Sequence, residues 1–140
     1  KAQAGGIISF MDAGSSAEIS NCYSAGSISG RRWHGGIVGG TNENAVSLKV
    51  TNCYTTTSIT GTPYGALVGS CSLAAEKVTC AGFVAYWSSG TLDKDNKITS
   101  TSYYIGQASS ISAKAKEFNW DETIWDLSGN EPVLKWTLVE

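Results

Sequence analysis

The chain has 140 residues, enough for one domain with a hydrophobic core, and 41 % of them are hydrophobic, which excludes disorder as the default. Only 16 % are charged; 19 Ser, 13 Thr and 16 Gly fill the gap beside two prolines, a profile that favours an all-β protein over long surface helices. A net charge of −2, a pI near 5.4 and no basic run longer than Arg31–Arg32 exclude the electrostatic footprint of nucleic-acid binding, and no apolar stretch is long enough to span a membrane.

The opening KAQAGG carries no signal-peptide hydrophobic region, which leaves secretion open. GGIISF at 5–10 then reads as a short strand whose glycines mark a sharp corner or a close backbone approach. The next run, AEISNCYSAGSISG at 17–30, alternates with period two, the strand signature. Both segments return. GGIVGG at 35–40 and GALVGS at 65–70 each begin 30 residues after the previous copy, and LKVTNCYTTTSITG fills 48–61. Spacing slips fall in polar connections: Gly5 to Asn21 is 16 residues but Gly35 to Asn52 is 17. The apolar segments keep their internal spacing, as buried strands do when surface loops vary.

Beyond Gly65 the period decays, and several registers stay open. KVTCAG at 77–82 echoes KVTNCY at 49–54, AGFVA at 81–85 is alternatively a shortened fourth GGIVG, and KITSTSYYIG at 97–106 places Ser102 where the cysteine stood. Residues 112–118 (SAKAKEF) suit one or two helical turns. Strict alternation sets Cys22 and Cys53 opposite Ile19 and Val50, which conflicts with a buried cysteine unless the strand kinks at Asn or Asn itself points inward.

A unit of short strands that cannot bury its own apolar face must stack on copies of itself. The expected fold is therefore one all-β domain over 1–140, a β-solenoid (right-handed β-helix-like) of about three to four irregular rungs at 5–106, closed by a Trp-rich segment at 107–140. Its expected core is Ile7, Ile19 and Ile28, then Ile37, Val50 and Ile59, then Leu67. Trp120, Trp125 and Trp136 are expected to cap the open end of the stack.

GGIVGG at 35–40 and NCYSAGSISG at 21–30 resemble the GLUG-type repeat of bacterial surface proteins, over roughly residues 5–70 and fading to about 106. FNWDETIWDLSGNEPVLKW at 118–136 resembles the W-x(4)-W-D…P-x-L-K-W ending that follows such β-helical arrays. The resemblance implies adhesins or accessory regions of immunoglobulin A-cleaving metallopeptidases. It does not bring the peptidase activity with it: the H-E-x-x-H zinc motif is absent, and the chain has one histidine.

The chemistry-bearing residues are sparse. No cysteine pair has C-x2-C spacing, so Cys22 and Cys53 read as small hydrophobes in a ladder, while Cys71 and Cys80 break the repeat and are candidates for a bridge. His34, in RRWHGG, reads as an exposed turn residue. Asp93-Lys94-Asp95-Asn96 reads as a polar turn, because a calcium loop would need Gly at its sixth position and Glu at its twelfth. Glu18 aligns with Lys49, so no acidic pair stacks as a glycosidase would require. Trp33 and Tyr64 precede Gly35 and Gly65 in equivalent turns, with Arg31 and Arg32 alongside. These four are the candidate binding residues for a sugar or a peptide; the plainer alternative is that the aromatics cover the corner beneath the glycines. The expectation is thus a non-catalytic extracellular or cell-surface bacterial domain, an adhesin-like module or spacer within a larger surface protein. It would need no metal or cofactor, and its partner would be a host glycan or matrix protein. The alternative is a carbohydrate-active β-helix enzyme or an accessory domain of a larger secreted peptidase. Converging acidic or basic residues in a groove would favour the enzyme; an exposed aromatic face would favour the module.

Overall fold

The structure, a computed structural model, describes residues 3–30, 33–60, 64–87, 91–98 and 102–135. It is mostly strand, with a curled parallel sheet and one α-helix, Ile111–Glu117. Copies of the repeat lie side by side in parallel. Ala4–Gly5 pairs with His34–Gly35, and that with Tyr64–Gly65. Ile8–Met11, Val38–Thr41 and Val68–Cys71 follow the same order. Ser16–Ser20 lies beside Ser47–Thr51, and Tyr23–Ser24 beside Tyr54–Thr55; the long strand Val78–Tyr86 flanks both. Ser27–Ser29 pairs with Ser58–Thr60. Each copied residue thereby has its copy as neighbour: Ile19 faces Val50, Ile28 faces Ile59 and Tyr23 faces Tyr54.

The repeated glycine has a steric cause. A Cβ on Gly5, Gly35 or Gly65 would collide with the carbonyl oxygen three residues on, that of Ile8, Val38 or Val68. The backbone folds back on itself so tightly there that only glycine fits.

The paradox of Asn and Cys resolves at a corner. Asn21 and Asn52 take left-handed backbone angles, φ 53° and 52°, and Gly82 stands at the same corner with φ 68°. Asn and Gly are the residues that tolerate this region. One left-handed residue breaks the alternation, so Ile19 and Val50 before the corner and Cys53 after it all point into the core. Tyr23, Tyr54 and Val84 then turn outward onto the side of the sheet.

None of the open registers after residue 70 is the one adopted. Cys80 lies opposite Val50, not at the Cys53 position, and Phe83 takes the place of Cys53. The fourth copy of GGIVG is supplied by 91–93: the amides of Leu67 and Val68 both donate to Leu92 O at 2.9 Å, and Val68 bridges Asp93. Ser102–Gly106 then adds to Val78–Tyr86 with a register shift after Ala81, which puts Tyr103, not Ser102, opposite Phe83.

The core holds Ile19, Ile37, Val50 and Leu67 as expected, joined by Leu48, Leu73, Phe83 and Leu92. Ile7 departs from expectation. It is 42 % exposed where its copy Ile37 is 0 %, because among the described strands the first unit is paired on one side only. Ile28 and Ile59 are half-buried.

The C-terminal segment lies against the side of the parallel sheet. Ser110 caps the helix by accepting from Ala113 N at 3.1 Å. The helix stops in a Schellman turn: Asn119 has φ 56°, Asn119 N donates to Lys116 O at 3.0 Å, and Trp120 N to Ala115 O at 3.1 Å. That turn aims Trp120 at the side of the sheet. Trp120 Nε1 donates to Gly82 O at 2.8 Å and Trp125 Nε1 to Asn21 Oδ1 at 3.2 Å. Tyr54 OH reaches Pro132 O at 2.9 Å. One segment thus touches the same corner in three successive units, so it runs along the flank and builds a second apolar cluster with Tyr54 and Val84. The expected end cap is corrected accordingly; Trp136 lies outside the described residues. Among the described residues no helix is long and apolar enough to cross a membrane.

Candidate functional site

Of the four binding residues read from sequence, Arg31 and Arg32 lie outside the described residues. Trp33 is half-buried. Tyr64 is in register with His34 and not with Trp33, so the two aromatics are offset by one residue. His34 is not an exposed turn residue. It is 2 % exposed, its ring nitrogens have no hydrogen-bond partner among the described residues, and Gly30 packs against it so closely that a Cβ would come within 2.7 Å of Nε2.

The cysteines are all thiols, so Cys71 and Cys80 are not bridged. Burial pushes the thiols of Cys53 and Cys80 up to about 12 and raises that of Cys71. Such thiols are protonated and inert at neutral pH. Cys22 is half-buried and donates to Ser20 O at 3.1 Å. Among the described residues no cluster of three or more His, Cys, Asp or Glu could hold a metal ion. Asp93 is fully buried, its carboxylate accepting from Lys97 N at 3.1 Å and Ile98 N at 3.0 Å, so it closes the turn that the DKDN run predicts. Lys49 and Glu18 approach to 3.9 Å on the surface, a pair of little energetic weight.

The structure brings together a groove that the repeat pattern does not announce. Two adjoining hollows of about 340 Å³ each share Thr56 and Tyr86. One is bounded by Ser109, Ile111, Asn130 and Glu131, the other by Ser58, Ile59 and Trp87. Its parts are fixed from several directions. Thr56 N donates to Ser24 O at 3.0 Å, and beneath it Ser24 Oγ lies 2.7 Å from Thr55 Oγ1 and 3.0 Å from Thr57 Oγ1. These buried hydroxyls hold the turn between the strands. Tyr86 ends its strand opposite Gly106, and its side chain stands exposed. Trp87 N donates to Gly106 O at 2.9 Å. The carbonyl of Asn130 accepts from Ser112 N at 3.1 Å, tying the far wall to the start of the helix. Glu131 is the single carboxylate among the described lining residues. The sequence signal was the run FVAYW at 83–87, where two aromatics stand together at the end of the strand Val78–Tyr86.

A third hollow, about 170 Å³, gathers Lys116, Glu122, Asp126 and Lys135 beside Trp125. Asp126 accepts from Ser128 Oγ at 2.6 Å and Ser128 N at 2.9 Å, and these bonds hold its carboxyl below the usual carboxylate range. Asp121 is bonded the same way by Thr123 and is lowered likewise.

Compared with protein-family models, with curated proteins and with solved structures, the chain has no match.

Proposed function

We propose that this chain is a non-catalytic binding module of the adhesin type, extracellular or on a bacterial cell surface. In this reading it is a right-handed β-solenoid of three to four irregular rungs related to the GLUG-type repeats, carried within a larger surface protein. Its ligand is a host glycan or a matrix protein. The groove at Thr56 and Tyr86 carries the reading. It sets an exposed tyrosine and a tryptophan among hydroxyls, one amide and one carboxylate. Aromatic faces take the apolar faces of sugar rings, and short polar groups satisfy their hydroxyls. A single carboxylate cannot divide acid and base roles between two groups.

The enzyme alternative has one observation behind it, the charged hollow holding Glu122 and Asp126. A general acid needs a raised carboxyl, and Asp126 is lowered by its own turn. The hollow therefore supports a surface charge network better than a catalytic pair.

The test is an array of host glycans and matrix proteins probed with the full chain, Tyr86→Ala and Trp33→Ala. Binding lost with Tyr86→Ala places the ligand in the groove. Loss with Trp33→Ala alone places it at the corner of Arg31, Arg32, Trp33 and Tyr64. A blank array would leave the chain a spacer.

A further inference from the structure

With the tail along the flank, the first edge of the sheet stands uncovered by any described segment. Ala4–Gly5, Ile8–Met11, Ser16–Ser20, Tyr23–Ser24 and Ser27–Ser29 are each the outermost strand of their sheet, paired on one side. Between the first and second units, the amides of Tyr54, Thr56 and Ser58 donate to the carbonyls of Cys22, Ser24 and Gly26 at 3.2, 3.0 and 2.9 Å. By the same parallel geometry the amides of Tyr23, Ala25 and Ser27 point out of the open edge.

The side chains repeat the lesson. Tyr23 is 48 % exposed where its copy Tyr54 is 4 %, and Ile8 is half-buried where Val38 is fully buried. The edge is thus a cut through a repeating interface, and what it displays is what the second unit presents to the first. Strand edges left open in this way are ordinarily blunted by lysine, proline or a covering loop. These five strands contain one charged residue, Glu18, and no proline. The other side of the stack is treated differently: residues 91–98 cover Ala66, Leu67 and Val68 and carry the exposed Lys94, Asp95 and Lys97.

The geometry points to a docking edge for one further copy of the same repeat unit, joined ahead of Lys1 and adding in parallel with the register its successors keep. The inference rests on the solenoid reading above. The occupant is set by continuity with the existing interface: the added GGIVG would cover Ile7 and Ile8, and an added NCY would continue the tyrosine stack.

The test fuses a copy of residues 31–61 ahead of Lys1 and follows amide hydrogen exchange by NMR. The amides of Tyr23, Ala25 and Ser27 should slow at least tenfold on fusion, while a fused copy carrying Ile37→Asp and Val50→Asp should leave them unchanged. In the unextended chain, fast exchange at Tyr54, Thr56 and Ser58 would overturn the solenoid reading itself. Slow exchange there, with Tyr23, Ala25 and Ser27 still fast in the fusion, would overturn the docking edge alone. So would a dimer of the unextended chain that Tyr23→Asp dissolves, because the edge would then belong to a second copy.

Discussion

Tyr23 lies flat against Tyr54: their ring centroids are 5.0 Å apart and their planes 7° from parallel, though 31 residues separate them in the chain. Behind Tyr54 the rings of Trp120 and Trp125 tilt at 33° and 57°, with centroids 6.3 and 5.9 Å away. Tyr54 is therefore the point where the repeat region and the C-terminal segment meet. Truncating it should unseat both. Tyr54→Ala should cost about 3–5 kcal/mol, the range for a buried aromatic. Tyr54→Phe should cost about 1 kcal/mol, for the bond to Pro132 O alone. Tyr23→Ala, at the exposed end of the stack, should cost about 1 kcal/mol. Urea unfolding of the three variants checks the order.

The left-handed corner gives a second ranking. Asn52→Gly should be tolerated, whereas Asn52→Val should cost about 1–2 kcal/mol, because a β-branched residue resists φ near 52°. Gly82→Ala should cost more than either. It combines φ 68° with a Cβ placed 2.5 Å from Asn52 Oδ1 and 3.0 Å from Trp120 Nε1, where it would break the tryptophan's bond to Gly82 O. Thermal denaturation of the three variants orders them.

Stability should fall at alkaline pH. Burial lifts Cys53 and Cys80 to about 12 from an ordinary 9.0, and Tyr54 to about 12 from 10.0. Below pH 9 the thiols are protonated in both states and their contribution is complete. Above it the unfolded chain releases protons that the folded chain retains. Stability should then drop toward pH 12 by about 1.4 kcal/mol per pH unit for each thiol. Cys80→Val, which matches its neighbour Val50, should flatten that slope by one group's share. Unfolding free energies between pH 8 and 11 measure it.

Much of the fold was legible because the repeat is literal. Copies 30 residues apart fixed which strands pair, and the pairing of Ile19, Glu18 and Tyr23 with Val50, Lys49 and Tyr54 follows from the alignment alone. The inward turn of Cys53 was half legible: the alternation signalled a conflict at Asn, and the left-handed angle that resolves it is a backbone fact. The place of the tail was not legible. Three tryptophans say that a large apolar surface is covered, but only the Schellman turn at Asn119 decides whether they reach the flank or the end. His34 was misjudged because a turn composition, RRWHGG, conceals a strand residue at 34. The groove was hidden for a related reason: Thr56, Tyr86 and Asn130 come from three distant stretches and share no motif.

Thiol chemistry separates the cysteines. Cys22, half-buried at the edge, should react with a thiol reagent well before Cys53, Cys71 and Cys80, which the core covers. Four thiols should titrate after denaturation without reductant. A mass lower by two hydrogens, restored by reductant, would mean a bridge that this fold does not contain.

The claim that the groove is the binding surface is tested most directly by amide chemical-shift mapping of the full chain during titration with the neutral glycan that binds most strongly on the array. Shifts should concentrate at Thr56, Ser58, Tyr86, Trp87, Ser109, Asn130 and Glu131. Shifts centred instead on Trp33 and Tyr64, or on Glu122 and Asp126, would contradict it.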